Sequence, residues 1–184
     1  HLLDAGCDDI FILEDDALIL DNSVWNYCIN FSRETGLLHF NWNNYRREDN
    51  MHVPADYPSF KALISYNTEA NFSYFHREFL KDIRFDTEFV NAWEHVDLEY
   101  QGVMKGFLPA FRMFVSPMGL EKYIRVHDNG RSTILDQPEH QERIKQGYEY
   151  WKNKWGVEIK DLHPISMEQF VKNTKKIREA YGRH

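Results

Sequence analysis

An acidic triplet between two apolar runs constrains this chain more than any other feature. In the stretch FILEDDALIL, residues 11–20, the acidic turn Glu14, Asp15 and Asp16 follows the apolar end of a predicted strand. Carboxylates at the carboxyl end of a strand lie where open α/β sheets bind ligands, and Mg²⁺ and Mn²⁺ prefer oxygen ligands. Asp is also common wherever the backbone bends. The acidic turn alone therefore fits a metal site and a solvated turn about equally well.

The composition limits the classes of protein to which the chain can belong. Its 184 residues suffice for one main domain, and 42% hydrophobic and 15% aromatic residues predict a packed globule. The net charge of −7 disfavours a nucleic-acid partner, which requires a basic surface. Cys7 and Cys28 are too few for a disulfide framework and predict buried thiols in a reducing compartment. We therefore expect a cytoplasmic protein.

The membrane expectation is separate. No apolar run has the length of a membrane span. The segment from Lys160 to His184 is rich in lysine around residues 172–178, so it predicts either a helix docked on the domain or a peripheral contact with a membrane surface or partner. We expect no transmembrane segment.

Apolar spacing and capping residues predict an α/β order of elements. Strand patterns cover residues 9–13, 37–42, 60–67, 109–117 and 121–128. Helical patterns cover residues 22–36, 74–83, 94–105, 138–155 and 166–181, with Gly36, Gly106 and Gly156 past three of the helix ends. Residues 43–59 show neither period and predict a long loop. The fold class predicted is α/β with a helical appendage at the C-terminus.

A second group of acidic residues heads the helix predicted at 94–105. On that helix Glu94 and Asp97 share a face, while His95 and Glu99 share a neighbouring one. Carboxylates and a histidine at a helix start can supply a general base. Acidic residues also suit the dipole of a first helical turn, which is the structural alternative.

The order of these motifs resembles the nucleotide-sugar-dependent glycosyltransferases of the GT-A fold, most closely the family 2 type. LEDDA is similar to the Asp-x-Asp-like motif that ends a strand in that family. IRFDTEFVNAWEHVDLEYQGVMKGF is similar to the segment whose acidic pair heads a helix, and YWKNKWG is similar to a lysine-tryptophan-glycine ending. The resemblance covers residues 4–156.

The resemblance implies a GT-A-like (Rossmann-like) mixed sheet flanked by helices. It implies a partial glycosyltransferase domain at residues 1–156 and a helical extension at 157–184. The strands that bind the nucleotide in that family are expected to precede His1.

The resemblance also implies roles for the site residues. A Mn²⁺ or Mg²⁺ ion that bridges the diphosphate is expected on Asp16 and His127 together with Glu14 or Asp15, and Arg125 and Arg131 are expected to neutralise the charge of the diphosphate. Trp93 is expected either to stack on an acceptor sugar or to pack in the core. Strict register places His95 at the position of the catalytic base, but a carboxylate is favoured, with Glu94 ahead of Asp97.

The reaction implied is transfer of a sugar from a nucleoside-diphosphate sugar to a glycan hydroxyl, as in polysaccharide biosynthesis, with inversion at the anomeric carbon. Two other classes remain open. A metal-dependent phosphoesterase could use the same carboxylates with His127. A non-catalytic carbohydrate-binding module would bind glycans without metal.

Overall fold

A computed structural model describes residues 2–15, 17–42, 51–53, 59–65, 71–89, 93–126, 138–162 and 165–183. The strands are β1 (Asp9–Leu13), β2 (Ala17–Ile19), β3 (His39–Trp42), β4 (Met51–Val53), β5 (Ala62–Ser65), β6 (Phe72–His76), β7 (Phe114–Pro117) and β8 (Ile124–Val126). The α-helices are α1 (Ser23–Thr35), α2 (Arg77–Asp82), α3 (Glu94–Met104), α4 (Pro138–Trp155) and α5 (Met167–Tyr181). The class is mixed α/β, as the sequence predicts.

The described strands form three small sheets, ordered β1-β6-β3, β2-β8 and β4-β5-β7, in which neighbours pair antiparallel. Because β6 runs antiparallel to both β1 and β3, these two strands run parallel to each other. The chain from β1 to β3 passes through α1, and such a helical crossover is the usual connection between parallel strands. The carboxyl ends of β1 and β3 therefore point the same way.

Two predicted elements are wrong, and the strand predicted over residues 109–117 is shorter in the structure, where β7 begins only at Phe114. The helix predicted over residues 74–83 begins only at Arg77, because residues 72–76 form β6, the central strand, with all five side chains buried. A strand buried on both faces reads as a continuous apolar run without alternation. The predicted loop at 43–59 contains β4, which pairs with β5 and which no local pattern indicates; the rest of that prediction lies largely outside the described residues.

The helix ends follow the predicted capping residues. Gly36 follows α1 with φ of 76°, and Gly156 follows α4 with φ of 68°, both in the left-handed region. Ser166 caps α5, since its hydroxyl accepts a hydrogen bond from the Gln169 amide at 3.2 Å. These predictions are confirmed.

Helix α5 docks on the main core. Phe170 and Ile177 are buried in the same cluster as Phe31 of α1. The position of the domain boundary at residues 156 and 157 stays a prediction. Burial of an apolar stripe is the usual way in which an amphipathic helix joins a domain, and it leaves the lysines of α5 on the opposite, solvated face.

Both cysteines are free thiols. Cys28 is buried in the main core, and burial raises the pKa of its thiol to about 12, whereas Cys7 is half-buried. A thiol that does not ionise is a poor nucleophile.

Across the helices that the structure describes, not one is both long enough and apolar enough to cross a membrane.

Gly36→Ala should destabilise the fold more than Gly106→Ala does. Both glycines have nearly the same φ, 76° and 75°, but a Cβ at Gly36 would lie 2.7 Å from the Ile177 carbonyl oxygen, whereas a Cβ at Gly106 meets nothing within 4 Å. The expected loss of unfolding free energy is about 1 kcal/mol at Gly106 and about 2–4 kcal/mol at Gly36. Urea unfolding measures both; equal losses would contradict the close approach of α5 to α1.

Candidate functional site

Trp93 precedes α3 in a strained backbone conformation. Its φ is 74°, which is uncommon for a bulky residue and costs on the order of 1–3 kcal/mol. The indole Nε1 donates a hydrogen bond to the Ile144 carbonyl oxygen at 2.7 Å, and the ring lies directly over Gly147 of α4. Packing against α4 offsets the strain. This placement agrees with the core-packing alternative, and stacking on a sugar stays a prediction.

Asp97 is fully buried and bonded on both of its carboxylate oxygens. Oδ2 accepts hydrogen bonds from Lys154 Nζ at 2.9 Å and from Gln101 Nε2 at 2.7 Å, and Oδ1 accepts one from Trp155 Nε1 at 2.7 Å. Lys154 also binds Asp86 at 2.7 Å. Two of the motifs that carry the resemblance therefore meet in space. A buried carboxylate whose two oxygens are both bonded in this way acts as a structural anchor.

Glu94 and His95 differ from Asp97 because each carries a buried polar atom that lacks a hydrogen-bond partner among the described residues. These atoms are Oε2 of Glu94 and Nδ1 of His95. Burial lowers the pKa of His95, while the nearby Glu94 carboxylate acts in the opposite direction. The imidazole is therefore neutral at neutral pH. Buried unpaired polar atoms are rare and often mark a functional group.

The ring of His95 ties the start of α3 to the β1-β6-β3 sheet. It lies edge-on to Phe85, with ring centroids 5.7 Å apart, and Phe85 in turn lies edge-on to Phe75 of β6 at 6.1 Å. Phe75 pairs with Ile10 of β1. The first turn of α3 is thus held from the sheet side as well as from α4.

Glu99 is a buried acid for which the sequence pattern predicts no role in the site. One oxygen accepts a hydrogen bond from the Arg112 amide, and the other has no partner in the described part of the chain. Burial raises the pKa of Glu99 well above its ordinary value, although backbone hydrogen bonds from Arg112 and Met113 act in the opposite direction. Its Oε1 therefore faces the loop after α3 and does not bond to His95.

The first two residues of the acidic turn, Glu14 and Asp15, follow β1 directly. Glu14 and Asp15 are exposed, and the Glu14 amide donates to the Asn71 carbonyl oxygen at 3.1 Å. Asp16, His127 and Arg131 lie outside the described residues. However, β2 begins at Ala17 and β8 ends at Val126, and these two residues are directly paired.

Arg125 lies on β8, exposed and opposite Leu18 of β2. Within the described ranges, no three His, Cys, Asp or Glu side chains form a potential metal-ligand group. Glu94, His95 and Asp97 therefore form no such group with one another or with Glu14 and Asp15. The surroundings of the two acidic groups differ. Glu14 and Asp15 are exposed, whereas the first turn of α3 packs against α4.

Glu99→Gln should stabilise the protein more at pH 8 than at pH 4. Burial raises the pKa of Glu99 in the folded protein above its value in the unfolded chain. Below the ordinary pKa of a glutamate, the carboxyl is protonated in both the folded and the unfolded protein, so its burial has no pH-dependent cost. As the pH rises from there towards the folded pKa, the unfolded chain ionises first and the free energy of unfolding falls. Gln keeps the acceptor for the Arg112 amide without this penalty. Urea unfolding at the two pH values measures the difference.

The matched control is Glu142→Gln, which changes an exposed glutamate of α4. Its effect on the unfolding free energy should be small at both pH values. A Glu99→Gln protein that gains nothing on going from pH 4 to pH 8 would contradict the burial of an unpaired carboxyl.

Comparisons with known proteins add no relatives. No protein-family model matches the chain, and no curated protein or solved structure matches it either. The proposal of a function therefore rests on the residues, their geometry and the resemblance of the three motifs.

Proposed function

We propose that the chain is the metal- and acceptor-binding part of an inverting GT-A glycosyltransferase that uses a nucleoside-diphosphate sugar. The observation that carries the proposal is the contact of Lys154 and Trp155 with Asp97. Two separated motifs of the resemblance form one hydrogen-bonded unit around the buried Asp97, and this unit holds the helix turn that bears Glu94 and His95. Motifs that meet in this way support a shared site more strongly than motifs that only share an order.

The acidic turn supplies the metal half. The turn follows β1, which runs parallel to β3 across the α1 crossover, and ligands of open α/β sheets bind outside the carboxyl ends of such strands. Glu14, Asp16 and His127 would hold Mn²⁺ or Mg²⁺, and carboxylate and imidazole ligands suit Mn²⁺ well. The paired residues Ala17 and Val126 support this grouping.

When bound, the ion would offset the negative charge that develops on the leaving diphosphate. Asp15 would orient the ligand carboxylates, and Arg125 with Arg131 would bind phosphate oxygens. Arg125 is exposed on the same strand that leads to His127, so its guanidinium is accessible to an anion from solution.

The first turn of α3 supplies the acceptor half. Glu94 takes the proton from an acceptor hydroxyl, and His95 binds that hydroxyl from the same turn. The acceptor oxygen forms its bond to the anomeric carbon as the bond to the diphosphate breaks on the opposite face, so the configuration inverts. Both carboxylate oxygens of Asp97 accept hydrogen bonds from α4. This engagement favours Glu94 or His95 as the catalytic base.

The nucleotide pocket requires further strands beside β1. The backbone oxygen of Asp8 and the backbone amide of Glu14 form hydrogen bonds on the β6 side of β1. In an antiparallel pair, alternate residues direct their backbone groups to opposite edges of the strand. The backbone groups of Asp9, Phe11 and Leu13 therefore face the other edge of β1. No described strand pairs with that edge. The open edge is compatible with the additional strands that the resemblance implies.

Calorimetric titration tests the metal half. Titration with Mn²⁺, alone and with a panel of nucleoside diphosphates and nucleotide sugars, should show metal-dependent binding that Asp16→Ala abolishes. Glu121→Ala removes an exposed carboxylate beyond the opposite end of β8 and should leave binding unchanged. The absence of any metal binding would overturn the proposal and leave a solvated turn.

Other outcomes of the same experiments point to the rival classes. Hydrolysis of a phosphate ester with no sugar transfer would indicate a phosphoesterase. Binding of glycans that survives removal of the metal by a chelator would indicate a carbohydrate-binding module. Either result would replace the glycosyltransferase.

Substitutions in the first turn of α3 separate the base from the anchor. With the donor identified by calorimetry, and in a protein that includes the strands beside β1, Glu94→Gln should lower kcat for sugar transfer by about 10²–10⁴ with little change in stability. Asp97→Asn should lower the unfolding free energy by about 3 kcal/mol, because it disturbs a buried ion pair. An Asp97→Asn protein of normal stability that lacks only transfer would contradict this division of roles.

A further inference from the structure

Helix α4 holds both ends of the first turn of α3. The Asp97 amide donates to the Trp93 carbonyl oxygen at 2.8 Å, so these two residues close the turn that contains Glu94 and His95. Trp93 is bonded to Ile144 of α4, and Asp97 is bonded to Lys154 and Trp155 at the end of the same helix. The two functional candidates therefore lie between two anchors on one helix.

The Trp93 anchor depends on a missing side chain. Gly147 is buried, and a Cβ there would lie 2.5 Å from Cδ1 of the Trp93 ring. Ala is otherwise preferred to Gly inside a helix by about 1 kcal/mol. Gly147 therefore lowers the stability of α4 itself. The space that it leaves for the Trp93 ring gives a physical reason for its presence.

The Asp97 anchor depends on one cation shared by two acids. Lys154 Nζ lies 2.7 Å from Asp86 Oδ2 and 2.9 Å from Asp97 Oδ2, and it also lies over the rings of Phe89 and Trp155. Its side chain is only one quarter exposed. Removal of this cation would leave the fully buried Asp97 without its charged partner.

The anchors matter for what lies between them. The first amides of a helix have no acceptors within the helix, so an unanchored first turn tends to fray. A fraying turn would not hold Glu94 Oε2 and His95 Nδ1 in the enclosed positions that they occupy. A catalytic group held within a small range of positions is far more effective than a mobile one.

We propose that α4 positions the Glu94–His95 pair, with Lys154 and Gly147 as positioning residues. Their effect is transmitted through Asp97 and Trp93. The use of the pair on an acceptor hydroxyl rests on the proposed function, but the positioning itself is measurable without any substrate.

The experiment is an NMR titration of the His95 imidazole combined with hydrogen exchange of the Asp97 amide, which closes the first turn of α3. The groups that act on this imidazole are the Glu94 carboxylate and His39 of β3. Gly147→Ala and Lys154→Met should free the turn, so the pKa of His95 should rise towards its ordinary value as burial is lost. Exchange of the Asp97 amide, which is bonded to the Trp93 carbonyl oxygen, should accelerate about tenfold or more.

The controls separate positioning from general damage. Lys152→Met, also on α4, breaks an ion pair with Glu158, which lies beyond the end of the helix, and should leave the His95 titration unchanged. Lys154→Arg should restore the behaviour that Lys154→Met loses. If Lys154→Met does not fold, Trp155→Phe serves as a milder variant. It removes the Trp155 donor to Asp97 but keeps an aromatic ring beside Tyr100, whose ring centroid lies 4.9 Å from that of Trp155 in the wild type.

A His95 titration that is the same in the wild type, Gly147→Ala and the Asp97-anchor variant would overturn the positioning role. Sugar transfer by the wild type together with that result would leave the proposed function intact. A shifted titration in a protein that binds neither metal nor nucleotide would support the positioning and refute the proposed function. With activity established, Gly147→Ala should lower kcat by about 10- to 100-fold at nearly constant KM.

Discussion

The buried contact between Asp97 and the end of α4 is the interaction on which the rest of the site depends. A fully buried carboxylate is tolerated only when it is paired and hydrogen-bonded, and Lys154, Trp155 and Gln101 together meet that requirement. The pairing fixes where α3 starts relative to α4. It also determines which acidic residues stay available for chemistry, since Asp97 is fully engaged and Glu94 is not.

Three helix ends were predictable from the sequence, because each depends on one local residue. Gly36 and Gly156 end helices through positive φ, and the Ser166 hydroxyl caps α5. The strand before the acidic turn was predictable for a similar reason, since a short apolar run bounded by turn residues has few alternatives. Local chemistry sufficed in each of these cases.

The remaining features depend on distant partners, which a single sequence does not display. The strand character of β6 comes from pairing on both sides, and β4 exists only because β5 lies beside it. The candidate residues at the head of α3 were recognisable, but their separate roles were not. The difference between Asp97 and Glu94 arises from Lys154, which lies 57 positions from Asp97 along the chain.

The central claim is that the acidic turn and the first turn of α3 belong to one site. Paramagnetic broadening of amide NMR signals by Mn²⁺ tests it most directly. The account predicts strong broadening at Ala17 and Val126, weaker broadening at Glu94 and His95, and loss of both effects in Asp16→Ala. Sharp signals at Ala17 and Val126 in the presence of Mn²⁺, or broadening there with none at the start of α3, would contradict a shared site.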